Sequence, residues 1–151
     1  PAYVRLAYPG GDLPIERGVC CDVVIRAYRA AFGLDLQKLV HEDMARAFGA
    51  YPRTWGLSRP DANIDHRRVP NLETFLTRKG AARPLAEPWL AGDLVTQRLP
   101  GNLPHIVIVT GERSALGQPM AVHNIGAGAR AEPIPVFARN VGRFRFAPDR
   151  A

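Results

Sequence analysis

The apolar pattern of this chain changes once, near Gly92, and the change limits the fold more than any other feature. Before it, apolar residues recur with the spacing of amphipathic helices, and after it short apolar segments alternate with turn residues. We expect helices over 21–32, 35–48 and 71–79, the second capped by Asp35, and strands over 93–98, 105–110, 120–124, 134–137 and 142–146. Helices followed by neighbouring strands predict an α+β fold, in which N-terminal helices pack on an antiparallel sheet of about five strands.

Size and charge narrow the possible partners. A chain of 151 residues fits one domain, which we place over 1–151, and no apolar segment approaches the roughly 18 residues of a membrane span. The net charge of +6 favours an anionic partner. The basic residues are spread along the chain rather than gathered on one element, so we do not expect a nucleic-acid binder. The chain starts at Pro1 without a basic leader, and we expect that an N-terminal signal has been removed.

The two cysteines, Cys20 and Cys21, are adjacent in the sequence. Their Cα atoms lie only about 3.8 Å apart, too close for an unstrained disulfide. Gly18 permits a bend just before Cys20, which opens the first helix, where backbone N–H groups stabilise a thiolate. Cys20 is therefore a candidate nucleophile, although a small buried side chain is the alternative interpretation. Cys21 is expected to point about 100° away and to pack.

Two histidines can complete a catalytic group with Cys20. His105 begins the apolar strand His-Ile-Val-Ile-Val, where it can face the helix start and take the thiol proton. A structural histidine explains the same position equally well. His123 lies near the end of the next strand and can orient the ring of His105 if the two strands form a hairpin. Asn124 is the rival orienting residue, but its side chain is expected on the opposite face.

Other polar residues are candidates for binding a substrate. Tyr8 is a candidate for the cleft near Cys20 and for an oxyanion contact, or is a packing tyrosine. The run Asp65-His66-Arg67-Arg68 can bind substrate carboxylates through its arginines, or form a surface cluster of ion pairs. Trp55 and Trp89 either border a groove or cover the core.

Four short blocks resemble the NlpC-type cell-wall peptidases of the papain-like superfamily, in the same order along the chain. They are Gly-Val-Cys-Cys-Asp-Val-Val (18–24), Gly-Asp-Leu-Val (92–95), His-Ile-Val-Ile-Val (105–109) and Val-His-Asn (122–124). Nearly the whole chain is also similar to a bacterial family of exported proteins that is catalogued as a domain of unknown function. The segments that carry this narrower likeness are 8–12, 17–20, 63–71, 99–106 and 123–128.

The resemblance implies a papain-like, NlpC-type fold with Cys20 as nucleophile, His105 as base and His123 as third member. It implies hydrolysis of an amide bond in peptidoglycan, within the stem peptide or at its junction with the sugar, without a cofactor or metal. Asn124 and the residues proposed above as binding groups would contact the muropeptide. Periplasmic or secreted residence follows from the same resemblance, as does a cognate inhibitor if the protein is a toxin. Cys21 and Val107 depart from the family's pattern of small residues.

Two other functions compete with the hydrolase. A zinc protein would use Cys20, Cys21, His105 and His123, although neither a Cys-x-x-Cys nor a His-Glu-x-x-His pattern is present. A non-catalytic module would retain the fold and hold wall fragments in its basic cleft. Thiol reactivity separates the module from the enzyme, and metal analysis separates the zinc protein from both.

Overall fold

The computed structural model describes residues 2–86 and 88–147. In this part of the chain three α-helices precede all six strands, as the sequence predicts. The helices are α1 (Cys20–Phe32), α2 (Leu36–Arg46) and α3 (Val69–Arg78). The strands are β1 (Ala82–Arg83), β2 (Leu94–Leu99), β3 (Leu103–Arg113), β4 (Pro119–His123), β5 (Arg130–Pro133) and β6 (Arg139–Phe144). The α+β class is confirmed, whereas the extent of a single domain over 1–151 stays a prediction, since Pro1, Glu87 and residues 148–151 lie outside the described part.

The strands form one six-stranded sheet in the order β1-β6-β2-β3-β4-β5. Every pairing in it is antiparallel. The central strand β3 pairs with β2 on one side, where His105 lies opposite Gln97, and with β4 on the other, where Ile108 lies opposite Val122. Because side chains alternate between the faces of a strand, this register places His105 and His123 on the same face.

Two apolar clusters cover the two faces of the sheet. The larger cluster joins the three helices to the sheet, and its buried members include Val24, Tyr28, Leu36, Val40, Leu72, Phe75, Leu94, Ile106 and Phe144. The smaller cluster lies on the opposite face and consists of Val95, Val107, Val109, Ala121 and Ile134, with Trp89 packed against it. No helix in the described ranges is both long and apolar enough to cross a membrane.

Local capping explains where the helices begin. At the start of α1, the carboxylate of Asp22 in the first turn accepts a hydrogen bond from the Val19 amide at 2.7 Å. At its end, Gly33 adopts the left-handed conformation that ends the helix. Asp35 caps α2, as expected, by accepting from the Gln37 amide. α3 begins two residues earlier than predicted because Pro70 suits the first helical turn.

The strand predicted over 134–137 is wrong. The structure places β5 at Arg130–Pro133, where Glu132 pairs with Ala121 of β4. Ile134 is buried in the smaller cluster, but Val136 and Phe137 are 74% and 62% exposed. The apolar segment 134–137 was mistaken for a strand because its residues are apolar, whereas the true strand is a polar edge strand that carries no apolar alternation. The short strand β1 was not predicted either.

Candidate active site

A pocket of about 450 Å³ opens where the first turn of α1 meets the start of β3. Cys20 and His105 both line it, on opposing elements. The other residues of its wall come from neighbouring loops and from the ends of α3, β2 and β3: Gly18, Val19, Trp55, Arg67, Arg68, Val69, Pro70, Leu99, Leu103, Pro104, Asn124, Ile125 and Gly126. The sequence predicted the meeting of these two elements, and the structure brings both candidate residues to one cavity.

The backbone before Cys20 requires a glycine. Gly18 has φ of +139°, and a Cβ built there would lie 3.0 Å from Cβ of Asp22. Asp22 itself holds the Val19 amide and also forms a buried ion pair with Arg67, at 3.0 Å from Nε to Oδ1. Together these contacts fix the turn that delivers the sulfur of Cys20 to the pocket.

The environment of Cys20 favours its thiolate. The neighbouring Cys21 thiol, the imidazole of His105 and the backbone N–H of Ile106 all donate toward its sulfur and lower the pKa of Cys20 to about 5, against the opposing effect of burial. The position of Cys20 in the first turn of α1 adds the favourable end of the helix dipole. Cys21 is fully buried in the larger cluster, and both the interaction with Cys20 and burial raise its pKa. The pKa is therefore lowered at Cys20 and raised at Cys21, and of the two thiols only that of Cys20 lines the pocket.

His105, His123 and Glu132 form a hydrogen-bonded row behind Cys20. His105 Nε2 lies 2.7 Å from His123 Nδ1, and His123 Nε2 lies 2.7 Å from Glu132 Oε1. Both rings are almost completely buried, at 2% and 1% exposure, whereas the Glu132 side chain is 40% exposed. The three residues come from β3, β4 and β5, so the register of three strands builds the row.

The row permits one consistent set of protons. An ionised carboxylate only accepts, so His123 Nε2 donates to Glu132. In a neutral His123 the Nδ1 atom is then an acceptor, and His105 Nε2 donates to it. When His105 is neutral too, its Nδ1 is left as the acceptor that can take the Cys20 proton, and after the transfer the same Nδ1 donates to the thiolate. Glu132 thus selects the tautomer of both histidines.

Asn124 forms different hydrogen bonds from His123. Its Nδ2 donates to the Gly18 carbonyl at 3.2 Å, and its Oδ1 accepts from the amides of Gly126 and Gly128. It ties the end of β4 to the turn before Cys20, and it lines the pocket. Its hydrogen bonds thus go to the turn and the loop beside it, whereas His123 is the residue bonded to His105.

The run 65–68 divides into buried and pocket residues. Asp65 and His66 are 1% and 2% exposed and do not line the pocket. Burial raises the pKa of Asp65 and lowers that of His66 to about 4. The structure therefore corrects the expectation that these two side chains bind substrate. Arg67 and Arg68 both line the pocket, and within the described ranges neither forms the predicted surface ion pairs. The Arg67 guanidinium is buried against Asp22, and the Arg68 guanidinium lies over the Trp55 ring.

Of the two roles predicted for Tyr8, the structure favours packing over a place in the cleft. Tyr8 does not line the pocket, and its ring packs on His41 of α2, with ring centroids 4.8 Å apart. The turn that Tyr8 begins is held against the start of α2, because the Gly10 amide donates to the N-cap residue Asp35 and the Gly11 amide to Gln37. Of the two tryptophans, Trp55 lines the pocket, whereas Trp89 packs on the smaller cluster.

Two contributors to the site were not predicted. Glu132 was missed because it lies on an edge strand without apolar alternation. The Ile106 amide was missed because a backbone donor leaves no trace in the residue types. The sequence shows only an acidic residue nine positions after His123. Its contact with the His123 ring can be predicted only when the register between β4 and β5 is known.

The alternative zinc site gains no support from the side-chain geometry. Throughout residues 2–86 and 88–147, no three His, Cys, Asp or Glu side chains are grouped as a metal ion requires. Cys21, one of the four ligands proposed for zinc, is fully buried in the larger apolar cluster.

Comparison with known proteins identifies relatives of this chain. It is 54% identical over 149 residues to a protein of Escherichia coli (strain K12) named "Uncharacterized protein YijF", covering 97% of this chain and 72% of that protein. No solved structure matches. The model of one family, described as "Domain of unknown function (DUF1287)", matches residues 1–146. The likeness to a bacterial family of unknown function is thereby confirmed, and the chain belongs to the DUF1287 family.

Proposed function

We propose that this protein is a cysteine hydrolase of papain-like, NlpC type that cleaves an amide bond in bacterial peptidoglycan. The observation that carries the proposal is the thiol of Cys20, with a pKa of about 5, beside a His105–His123–Glu132 row at the wall of an open pocket. A nucleophile, a base and groups that orient the base are the parts that covalent amide hydrolysis requires. The choice of peptidoglycan rests on the resemblance of the four sequence blocks and on the excess of positive charge.

In the proposed reaction the Cys20 thiolate attacks the carbonyl carbon of the scissile amide. The new S–C bond gives a tetrahedral oxyanion, for which the Cys20 amide is a suitable donor because the first N–H groups of a helix lack intrahelical partners. Protonated His105 gives its Nδ1 proton to the leaving nitrogen as the C–N bond breaks. Water, deprotonated by His105, then attacks the thioester and releases the acid and the thiolate.

The test is digestion of purified peptidoglycan by the whole chain, followed by mass spectrometry of the released fragments. The product masses name the bond that is cut. Cys20→Ser should reduce the release by about six orders of magnitude, that is, below detection, as when the nucleophile of a serine protease is removed. His105→Asn should reduce it similarly, because the base is lost.

His41→Asn is the matched control, since His41 packs on Tyr8 outside the pocket. This variant should release fragments at the wild-type rate. Equal release by Cys20→Ser and by the wild type would refute the proposal. Binding of peptidoglycan without any release by the wild type would refute hydrolysis and favour the non-catalytic module.

A further inference from the structure

Apart from the thiolate of Cys20, the charged side chains of the pocket are basic. Its described wall contains Arg67, Arg68 and His105 but no aspartate or glutamate. The rest of the wall is mostly apolar, including Val69, Leu99, Leu103, Pro104 and Ile125. A positive charge among apolar groups interacts strongly with an anion, because little water competes for it.

The two arginines of the wall differ in their hydrogen-bond partners. Arg67 is buried and saturated: its Nε and Nη2 donate to Asp22, and its Nη1 donates to the Ala2 carbonyl. Arg68 lies with its guanidinium carbon 4.3 Å from the centre of the Trp55 ring. Its Nη1 is shielded from solvent and has no hydrogen-bond partner among the described residues.

Stacking on Trp55 orients the Arg68 guanidinium without using its N–H groups. Burial lowers the pKa of Arg68, and the carboxylates of Asp61 and Asp65 lie near enough to raise it in opposition, but neither forms an ion pair with it in the described part of the chain. Arg68 lines the pocket, and none of its side-chain N–H groups donates a hydrogen bond within the described residues. An anion that enters the pocket would therefore satisfy the part of the guanidinium that faces the cavity.

We propose that Arg68, held by Trp55, is a subsite for a free carboxylate that the substrate carries close to the scissile amide. The inference deepens the proposed function and rests on it for the identity of the reaction. The planar guanidinium fork fits a carboxylate, and a single available arginine suits one negative charge better than the larger charge of a phosphate group. The acidic stem peptide of peptidoglycan supplies such a carboxylate.

Alkylation of Cys20 by two matched reagents tests the subsite without the natural substrate. Iodoacetate and iodoacetamide both form an S–C bond to Cys20 and release iodide, but only iodoacetate carries a carboxylate. The wild-type rate with iodoacetate should saturate with concentration. Arg68→Gln should lower the ratio of the iodoacetate rate to the iodoacetamide rate by about tenfold, the size of one charge-assisted hydrogen bond.

Arg68→Lys keeps the charge but loses the fork, and it should give an intermediate ratio. Arg83→Gln is the matched control, since it removes the same charge from an exposed residue outside the pocket. It should leave the ratio unchanged. An equal ratio in Arg68→Gln and the wild type would overturn the subsite. Stronger protection of Cys20 by inorganic phosphate than by acetate would overturn its assignment to a carboxylate.

A second measurement keeps the two proposals separate. If neither reagent modifies native Cys20 at neutral pH, the cysteine mechanism fails. The subsite is then decided by titrating the ¹⁵N-labelled protein with N-acetylalanine. A shift of the arginine Nε–H signal that Arg68→Gln removes supports the subsite, and the absence of any shift in the arginine signals overturns it.

Discussion

The pH dependence of Cys20 alkylation is the sharpest consequence of the site. The ordinary thiol pKa is 9.0, and the contacts of Cys20 with the Cys21 thiol, His105 and the Ile106 amide lower it to about 5. A lowered pKa means that the thiolate persists as the pH falls from 9 toward 5 and disappears only below that range. At pH 7 the thiolate fraction is about 99% with the lowered value and about 1% with the ordinary one.

The assay is the rate of iodoacetamide modification between about pH 4 and pH 9. Between about pH 8 and pH 6 an ordinary thiol loses nearly a hundredfold in rate, whereas Cys20 should lose only about a tenth. The chain unfolded in urea is the internal control, and it should show the steep profile. His105→Asn should shift the native profile to higher pH, since it removes a hydrogen bond and a positive charge from the sulfur.

The number of modified thiols is a second check on the same experiment. The native chain should take up one label and the unfolded chain two, because Cys21 is fully buried. A native profile with its midpoint near 9, or two labels in the native state, would refute the assignment of Cys20 as an activated thiol.

Three further outcomes follow from contacts around the pocket. Glu132→Gln should lower the turnover of peptidoglycan fragments by about tenfold or more, because an amide can donate as well as accept and no longer selects the tautomer of His123; Glu112→Gln, an exposed residue of β3, should leave it unchanged. Arg67→Ala leaves Asp22 buried without a partner and should lower the free energy of unfolding, measured in urea, by about 3–5 kcal/mol. A smaller loss than from Arg83→Ala would contradict this reading. Gly18→Ala is strained at φ of +139° and should slow alkylation of Cys20, whereas a wild-type rate would show that the turn tolerates a Cβ.

The parts of the site that the sequence predicted are those that lie at the ends of regular elements. Cys20 follows a glycine turn and begins an amphipathic helix, and His105 and His123 lie on strands with apolar alternation. Such positions can be located from spacing, because helical and strand periods fix the direction of each side chain. The proximity of the two rings needed only one hairpin register, which the turn residues between 110 and 119 supply.

The remaining parts depend on tertiary contacts. Tyr8 belongs to an irregular segment whose path is set by Asp35 and Gln37 of α2. The Asp65-His66 pair looked exposed because it is polar, but the chain buries it as a turn between α2 and α3. Glu132 acquires its role from an edge strand that has no apolar pattern. Spacing along the chain carries no information about such positions.

The arrangement of the two thiols has a consequence for oxidation. A low-pKa, accessible thiolate is the form that peroxide converts to sulfenic acid. Reduction of this sulfenic acid through an internal disulfide would need a second cysteine at a suitable distance. The only other cysteine of this sequence is Cys21, which is adjacent to Cys20 and fully buried in the core. Once oxidised, Cys20 would therefore need a thiol from outside residues 1–151 for its reduction, so the redox state of the surroundings would decide how long the thiolate persists.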